Sequence, residues 1–87
     1  MSKADHRDRY AIFVRLLRQA RLTNGLTQTQ VAERLGRPQS FVAKYEGCER
    51  ILDVIDFLDV TAALDISWKD ILNEAVHLLD ESKKVSN

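Results

Sequence analysis

Apolar residues recur along this chain at spacings of three and four, and nowhere with the alternation of a half-buried strand. Tyr10, Phe13, Val14 and Leu17 lie at i, i+3, i+4 and i+7, so a first helix carries one apolar face and stops near Asn24-Gly25. Thr27 opens a second helix as N-cap. Gln30, three residues on, completes a capping box. Val31, Ala32 and Leu35 form its inner side, and Gly36 closes it. Pro38 suits the N-cap or first turn of a short third helix, where its missing N–H costs nothing. Phe41, Val42 and Tyr45 are the apolar side of that helix and Gly47 is its stop. Asp53 caps a fourth helix with Val54, Phe57, Leu58, Thr61 and Leu64. Ser67 caps a fifth with Trp68, Ile71, Leu72, Ala75 and Leu79. The pattern predicts an all-α, five-helix domain over residues 1–87, with polar flexible tails at 1–8 and 82–87.

Between the second and third helices stands QTQVAERLGRPQSFVAKYEG, residues 28–47. Two short helices meeting at a tight turn need a small residue where they cross, which Ala32 supplies. They need a residue that takes a left-handed backbone cheaply, which is Gly36. They also need an apolar plug between them, which is Val42. That spacing suits a helix-turn-helix.

Charge sharpens the picture. The formal net charge is zero, which by itself argues against a nucleic-acid partner. Its distribution argues the other way: residues 1–50 hold ten Lys and Arg against five acids, and residues 51–87 hold three Lys against eight acids. A half at +5 attracts phosphate while a half at −5 repels it, which orients the molecule on a duplex.

The stretches LRQARLTNGLTQTQVAERLG, PQSFVAKYE and VIDFLDVTAAL together resemble the phage-repressor/Cro type of helix-turn-helix, the Xre-like family, from about Leu16 to Leu72. The chain is also similar in size and helical build to the controller proteins of restriction–modification systems. The resemblance implies a compact lambda-repressor-like fold with the helix-turn-helix at helices 2 and 3, and double-stranded DNA as partner. It implies that Gln39, Ser40 and Lys44 enter the major groove, where Gln pairs with adenine, Lys donates to guanine and Ser tolerates either. It places Gln28 on a phosphate, with Arg37 and Arg50 as flanking phosphate contacts. Arg21 and Glu46 match a pair that fixes the recognition helix against the first helix. Phe41 stays open between the core and a thymine methyl. Two departures from the family stand out. The glycine that usually ends the recognition helix falls at Cys48, with Gly47 just before it, so the cap is expected one residue early and Arg50 displaced. Arg37 replaces a commonly apolar residue and is expected to point outward with some loss of packing.

The fifth helix has more apolar surface than a five-helix packing requires, since Val76 and Leu78 widen its stripe. Trp68, Ile71, Leu72, Val76 and Leu79 are therefore the expected homodimer interface, and Trp68 is a packing residue rather than part of a cofactor box. Two-fold symmetry would set two recognition helices about 34 Å apart, on a palindromic operator. His6 and His77 have no ligand-spaced partner, and Cys48 stands alone, so neither metal nor disulfide is expected. No membrane segment, cofactor or small-molecule ligand is expected, and a reducing cytoplasm is the expected compartment. No nucleophile–base pair, carboxylate pair or phosphate-cradling glycine loop points to an enzyme. The expected function is a transcriptional repressor. The alternative is an antitoxin-like protein whose acidic half binds a protein partner.

Overall fold

The structure, a computed structural model, describes residues 5–85, with side chains through Glu81. Five helices follow one another: α1 His6–Thr23, α2 Gln28–Leu35, α3 Gln39–Glu46, α4 Val54–Ala63 and α5 Trp68–Val85. No strand occurs among the described residues. α2 packs on α3 and α4, while α1 lies across α3 and α5. Leu17, Val31, Val42, Tyr45, Val60 and Leu64 meet at the centre with no side-chain surface left to solvent.

The helix starts follow from short polar caps. Thr27 accepts from the backbone N–H of Gln30 at 3.0 Å, and the Gln30 side chain accepts from the backbone N–H of Thr27 at 2.8 Å, the reciprocal pair expected of a capping box. Asp53 accepts from Asp56 N at 2.7 Å, and Ser67 from Asp70 N at 3.3 Å. Pro38 is the N-cap of α3 and offers it no side-chain hydrogen bond.

Both expected tails are partly helical. Asp5 caps α1 by accepting from Asp8 N at 2.9 Å, so the helix starts at His6, inside the segment expected to be loose. α5 carries on through Val85, beyond the Ser82 boundary. Residues 1–4 and 86–87 lie outside the described residues.

The end of α3 also differs from expectation. Gly47 has an ordinary φ of −86°, and Cys48 takes the left-handed position at φ 62°. Gly47 is the C-cap, but the left-handed turn is not one residue early. Cys48 N donates to Tyr45 O at 3.2 Å and Glu49 N to Lys44 O at 2.8 Å, which closes the helix in the usual left-handed stop with cysteine in the glycine's place.

Candidate nucleic-acid interface

α3 divides cleanly into two faces. Phe41, Val42 and Tyr45 are buried, whereas Gln39, Ser40 and Lys44 are exposed. Val42 and Ala32 fill the contact between α2 and α3, and Gly36 turns the chain with φ 67°. The geometry thus holds α3 by its apolar side and leaves its polar side open along its length.

One flank of that open face is set by a line of hydrogen bonds. Arg21 Nε donates to Glu46 Oε2 at 2.7 Å and Arg21 Nη2 to Glu46 Oε1 at 2.9 Å, a bidentate pair. Both partners are buried, with side chains 9% and 4% exposed. The remaining amino group, Arg21 Nη1, donates to Leu26 O at 2.9 Å. The hydrogen bond to Glu46 pushes the Arg21 pKa up against the opposing effect of burial. Removing one partner of such a pair leaves a buried charge uncompensated and costs about 3–5 kcal/mol.

Glu46 also accepts from Gln28 Nε2 at 3.1 Å, and Gln28 Oε1 accepts from Gln39 Nε2 at 2.7 Å. A carboxylate only accepts, so Gln28 turns its NH₂ inward and its oxygen outward. Gln39 must then donate to that oxygen. Charge buried under α1 in this way sets which way the amide of Gln39 faces.

The other flank holds Arg37 and Arg50. Their guanidinium carbons lie 4.4 and 4.9 Å from the centroid of the Phe41 ring. Arg37 Nη2 donates to Asp56 Oδ1 at 3.1 Å, and Arg50 Nη2 is 3.6 Å from Asp56 Oδ2. Arg37 therefore does not point away with reduced packing. It covers Phe41, which is buried and packs in the core. Arg50 is held in place by its backbone, because its carbonyl accepts from the Tyr10 hydroxyl at 3.0 Å.

Of the residues expected at a dimer interface, one is not on the surface. Ile71 is buried in the protein's own core and is withdrawn from that set. Trp68, expected as a packing residue, is 44% exposed, with Lys69 Nζ 5.5 Å from its ring centroid. Leu72 and Val76 continue along the exposed side of α5, and Leu79 lines a shallow groove with them against Tyr10 and Phe13 of α1. α4 adds Val54, Ile55 and Leu58 as exposed apolar residues; Val54 and Leu58 were expected on the apolar stripe of the fourth helix, whereas Ile55 was not singled out from the sequence.

Asp56 was missed as well, because one more aspartate in an acidic half reads as a solvated charge. The only signal for it was its place three residues after the Asp53 cap, in the first turn of α4. Among the described residues, no group of three or more His, Cys, Asp or Glu is placed to hold a metal ion. No helix among them is long and apolar enough to cross a membrane.

Comparison with known proteins bears on this geometry. Residues 12–67 match the family model described as a helix-turn-helix domain. An XRE-family like protein from Pseudomonas syringae pv. tomato str. DC3000 is 42% identical, with a TM-score of 0.80 over 84% of this chain and 89% of that one. The chain belongs to the Xre-like helix-turn-helix family of DNA-binding transcriptional regulators. The restriction-modification controller protein C.AhdI from Aeromonas hydrophila is 29% identical, with a TM-score of 0.66 over 71% of this chain and 94% of that one. The clp gene regulator ClgR from C. glutamicum shares the fold at 23% identity, with a TM-score of 0.72 over 79% of this chain and 90% of that one. No curated protein sequence matches the chain. Within the Xre-like family, the matched region spans α2, α3 and α4 whole and ends at the cap of α5.

Proposed function

We propose that this regulator is a homodimeric repressor that reads a palindromic operator with α3 in the major groove. The observation that carries the reading is the hydrogen-bond line from Arg21 through Glu46 and Gln28 to Gln39. One N–H of Gln39 is used by Gln28. Its second N–H and its oxygen remain, the donor and acceptor that match N7 and the N6 amino group of adenine. Ser40 and Lys44 stand beside it on the same exposed face, and Lys44 is suited to guanine O6 and N7. Arg37 and Arg50 meet phosphates on one side of the helix, and the backbone N–H of Gln28 at the start of α2 meets one on the other, its side-chain amide being engaged with Glu46 and Gln39.

Dimerisation uses the exposed apolar residues Val54, Ile55 and Leu58 of α4 with Trp68, Leu72 and Val76 of α5. A two-fold axis through that surface presents two α3 helices to successive turns of the groove. No ligand-binding domain is needed for such a repressor, because its occupancy follows its own concentration.

The test is selection of a binding sequence from random duplex DNA, followed by affinity measurement on the enriched site. An inverted repeat is expected, with Gln39→Ala and Lys44→Ala each weakening binding by roughly tenfold or more, in line with about 1–3 kcal/mol per specific base contact. A selection that returns no site, or alanine variants that bind as the parent does, would remove α3 as the reader.

A further inference from the structure

Asp56 is buried to 6% exposure in the first turn of α4, and its side chain pairs with none of the residues expected to read a base. Its position is rigid. Its backbone N–H is held by the Asp53 cap at 2.7 Å, and its carboxylate sits at a helix N-terminus, where the backbone dipoles favour an anion. Each carboxylate oxygen faces a different guanidinium: Oδ1 that of Arg37 and Oδ2 that of Arg50. Those two side chains are 40% and 46% exposed, so each keeps donors directed to solvent after serving Asp56.

The two arginines come from opposite ends of the recognition helix. Arg37 lies in the turn before α3 and Arg50 in the loop after it, yet both rest on the Phe41 ring. At about 100° per residue, Phe41 borders Lys44 on one flank of the open face, while Glu46 borders Gln39 on the other. Gln28 therefore marks one edge of α3 and the arginine pair marks the opposite edge. Two like charges brought so close would repel each other without an anion between them. A buried carboxylate is costly to desolvate, and an apolar residue would fill its site with less penalty. What a carboxylate does that an apolar residue cannot is hold two guanidiniums in fixed orientation.

We propose that Asp56 is a positioning residue for DNA binding, presetting Arg37 and Arg50 as two phosphate-binding prongs along the edge of α3 opposite Gln28. This rests on the major-groove reading proposed above. The rotamer freedom of both arginines is given up when the chain folds rather than when DNA binds, so more of each phosphate interaction appears as affinity. The cluster keeps one net positive charge, and the two exposed guanidinium edges are what phosphate meets.

The experiment measures affinity for the selected operator and for random duplex DNA across a salt series. The proteins are the parent, Asp56→Asn, Arg37→Ala/Arg50→Ala and the triple variant, each checked by thermal unfolding. Asp56→Asn keeps the shape and adds one unit of positive charge to the protein. Operator affinity is nonetheless expected to fall by about tenfold, because the freed arginines lose their orientation. In the Arg37→Ala/Arg50→Ala background, the same Asp56 change is expected to alter affinity by less than about twofold, because nothing is left for it to orient. That background should also lower the salt slope by about two per protomer, about four for a dimer on its operator, one for each phosphate that is no longer neutralised.

Tighter binding by Asp56→Asn with a steeper salt slope would overturn the proposal, since Asp56 would then compete with phosphate for the arginines. An equal loss in both backgrounds would also overturn it, by showing that Asp56 supports only the fold. Should Asp56→Asn fail to fold, Arg37→Lys and Arg50→Lys decide, because both sites are half exposed and lysine keeps the charge without the fork. Affinity reduced at least about fivefold in each supports the prongs, and parental affinity in both refutes them. Failure of the major-groove reading itself shows separately, as a parent protein that prefers no duplex over random DNA.

Discussion

Tyr45 and Tyr10 are both core phenols, and their hydroxyls have opposite surroundings. The Tyr10 hydroxyl donates to Arg50 O at 3.0 Å and accepts from Leu52 N at 3.1 Å, tying α1 to the loop behind the recognition helix. The Tyr45 hydroxyl is buried and has no hydrogen-bond partner among the described residues. Leaving a buried polar group unpaired costs about 1–3 kcal/mol, so Tyr45→Phe is expected to raise stability by about 1 kcal/mol and Tyr10→Phe to lower it by a similar amount. Denaturant midpoints of the two variants check this, and a destabilised Tyr45→Phe would contradict it. Burial pushes both phenol pKa values above the ordinary 10.0. Below pH 10 both folded and unfolded chains hold these protons, and the tyrosines make no pH dependence. Above it the unfolded chain releases them first, so stability falls as pH rises. A melting series from pH 7 to 11 should show that fall in the parent and a shallower one in Tyr45→Phe.

The first four helices end by one repeated device. Gly25, Gly36, Cys48 and Asp65 all have φ between 61° and 70°, and each is followed by a residue whose N–H reaches back into the last turn. Two of the four are glycine, for which the left-handed conformation is cheap. Aspartate tolerates it, and cysteine is the least suited of the set. Cys48→Gly is therefore expected to stabilise the protein by about 1 kcal/mol, read from its thermal midpoint, with DNA affinity unchanged or improved because the end of α3 is held more firmly. Loss of stability in that variant would mean that the cysteine side chain packs in a way that outweighs its backbone strain. The stop after α1 was legible as Asn-Gly and that after α2 as a lone glycine. The stop after α3 was read at Gly47, which is its C-cap, but the left-handed residue is Cys48, because a glycine one position away draws attention from the residue that bends.

Across the molecule, the open polar face of α3 and the exposed apolar residues of α4 and α5 fall in different halves of the chain, the first in the basic half and the second in the acidic half. The proposed dimer, with that apolar surface covered by a second copy and the acidic half held away from phosphate, would account for that separation. Ile55 and Val76 are 66% and 57% exposed, so replacing either by Asp leaves the core intact. Ile55→Asp and Val76→Asp are expected to sediment as monomers at micromolar concentration. They are expected to bind the full inverted repeat about a hundredfold more weakly or worse, since two linked half-sites no longer act together. A parent protein that is already monomeric would contradict the dimer, while its α3 could still read a half-site.

Local chemistry alone determined the number and order of the helices, three of their side-chain caps and the polar face of the recognition helix. Periodicity, a capping box and the Ala-Gly-Val spacing act over a few residues and are written along the chain. Distance in sequence marks what was not legible. Asp56 meets Arg37 across nineteen positions and Tyr10 meets Leu52 across forty-two, so neither pairing leaves a local signature. Burial was decided the same way. Ile71 and Trp68 share one helical stripe, yet one is in the core and the other on the surface, because only the packing of α4 and α1 against α5 selects which part of an apolar stripe is covered.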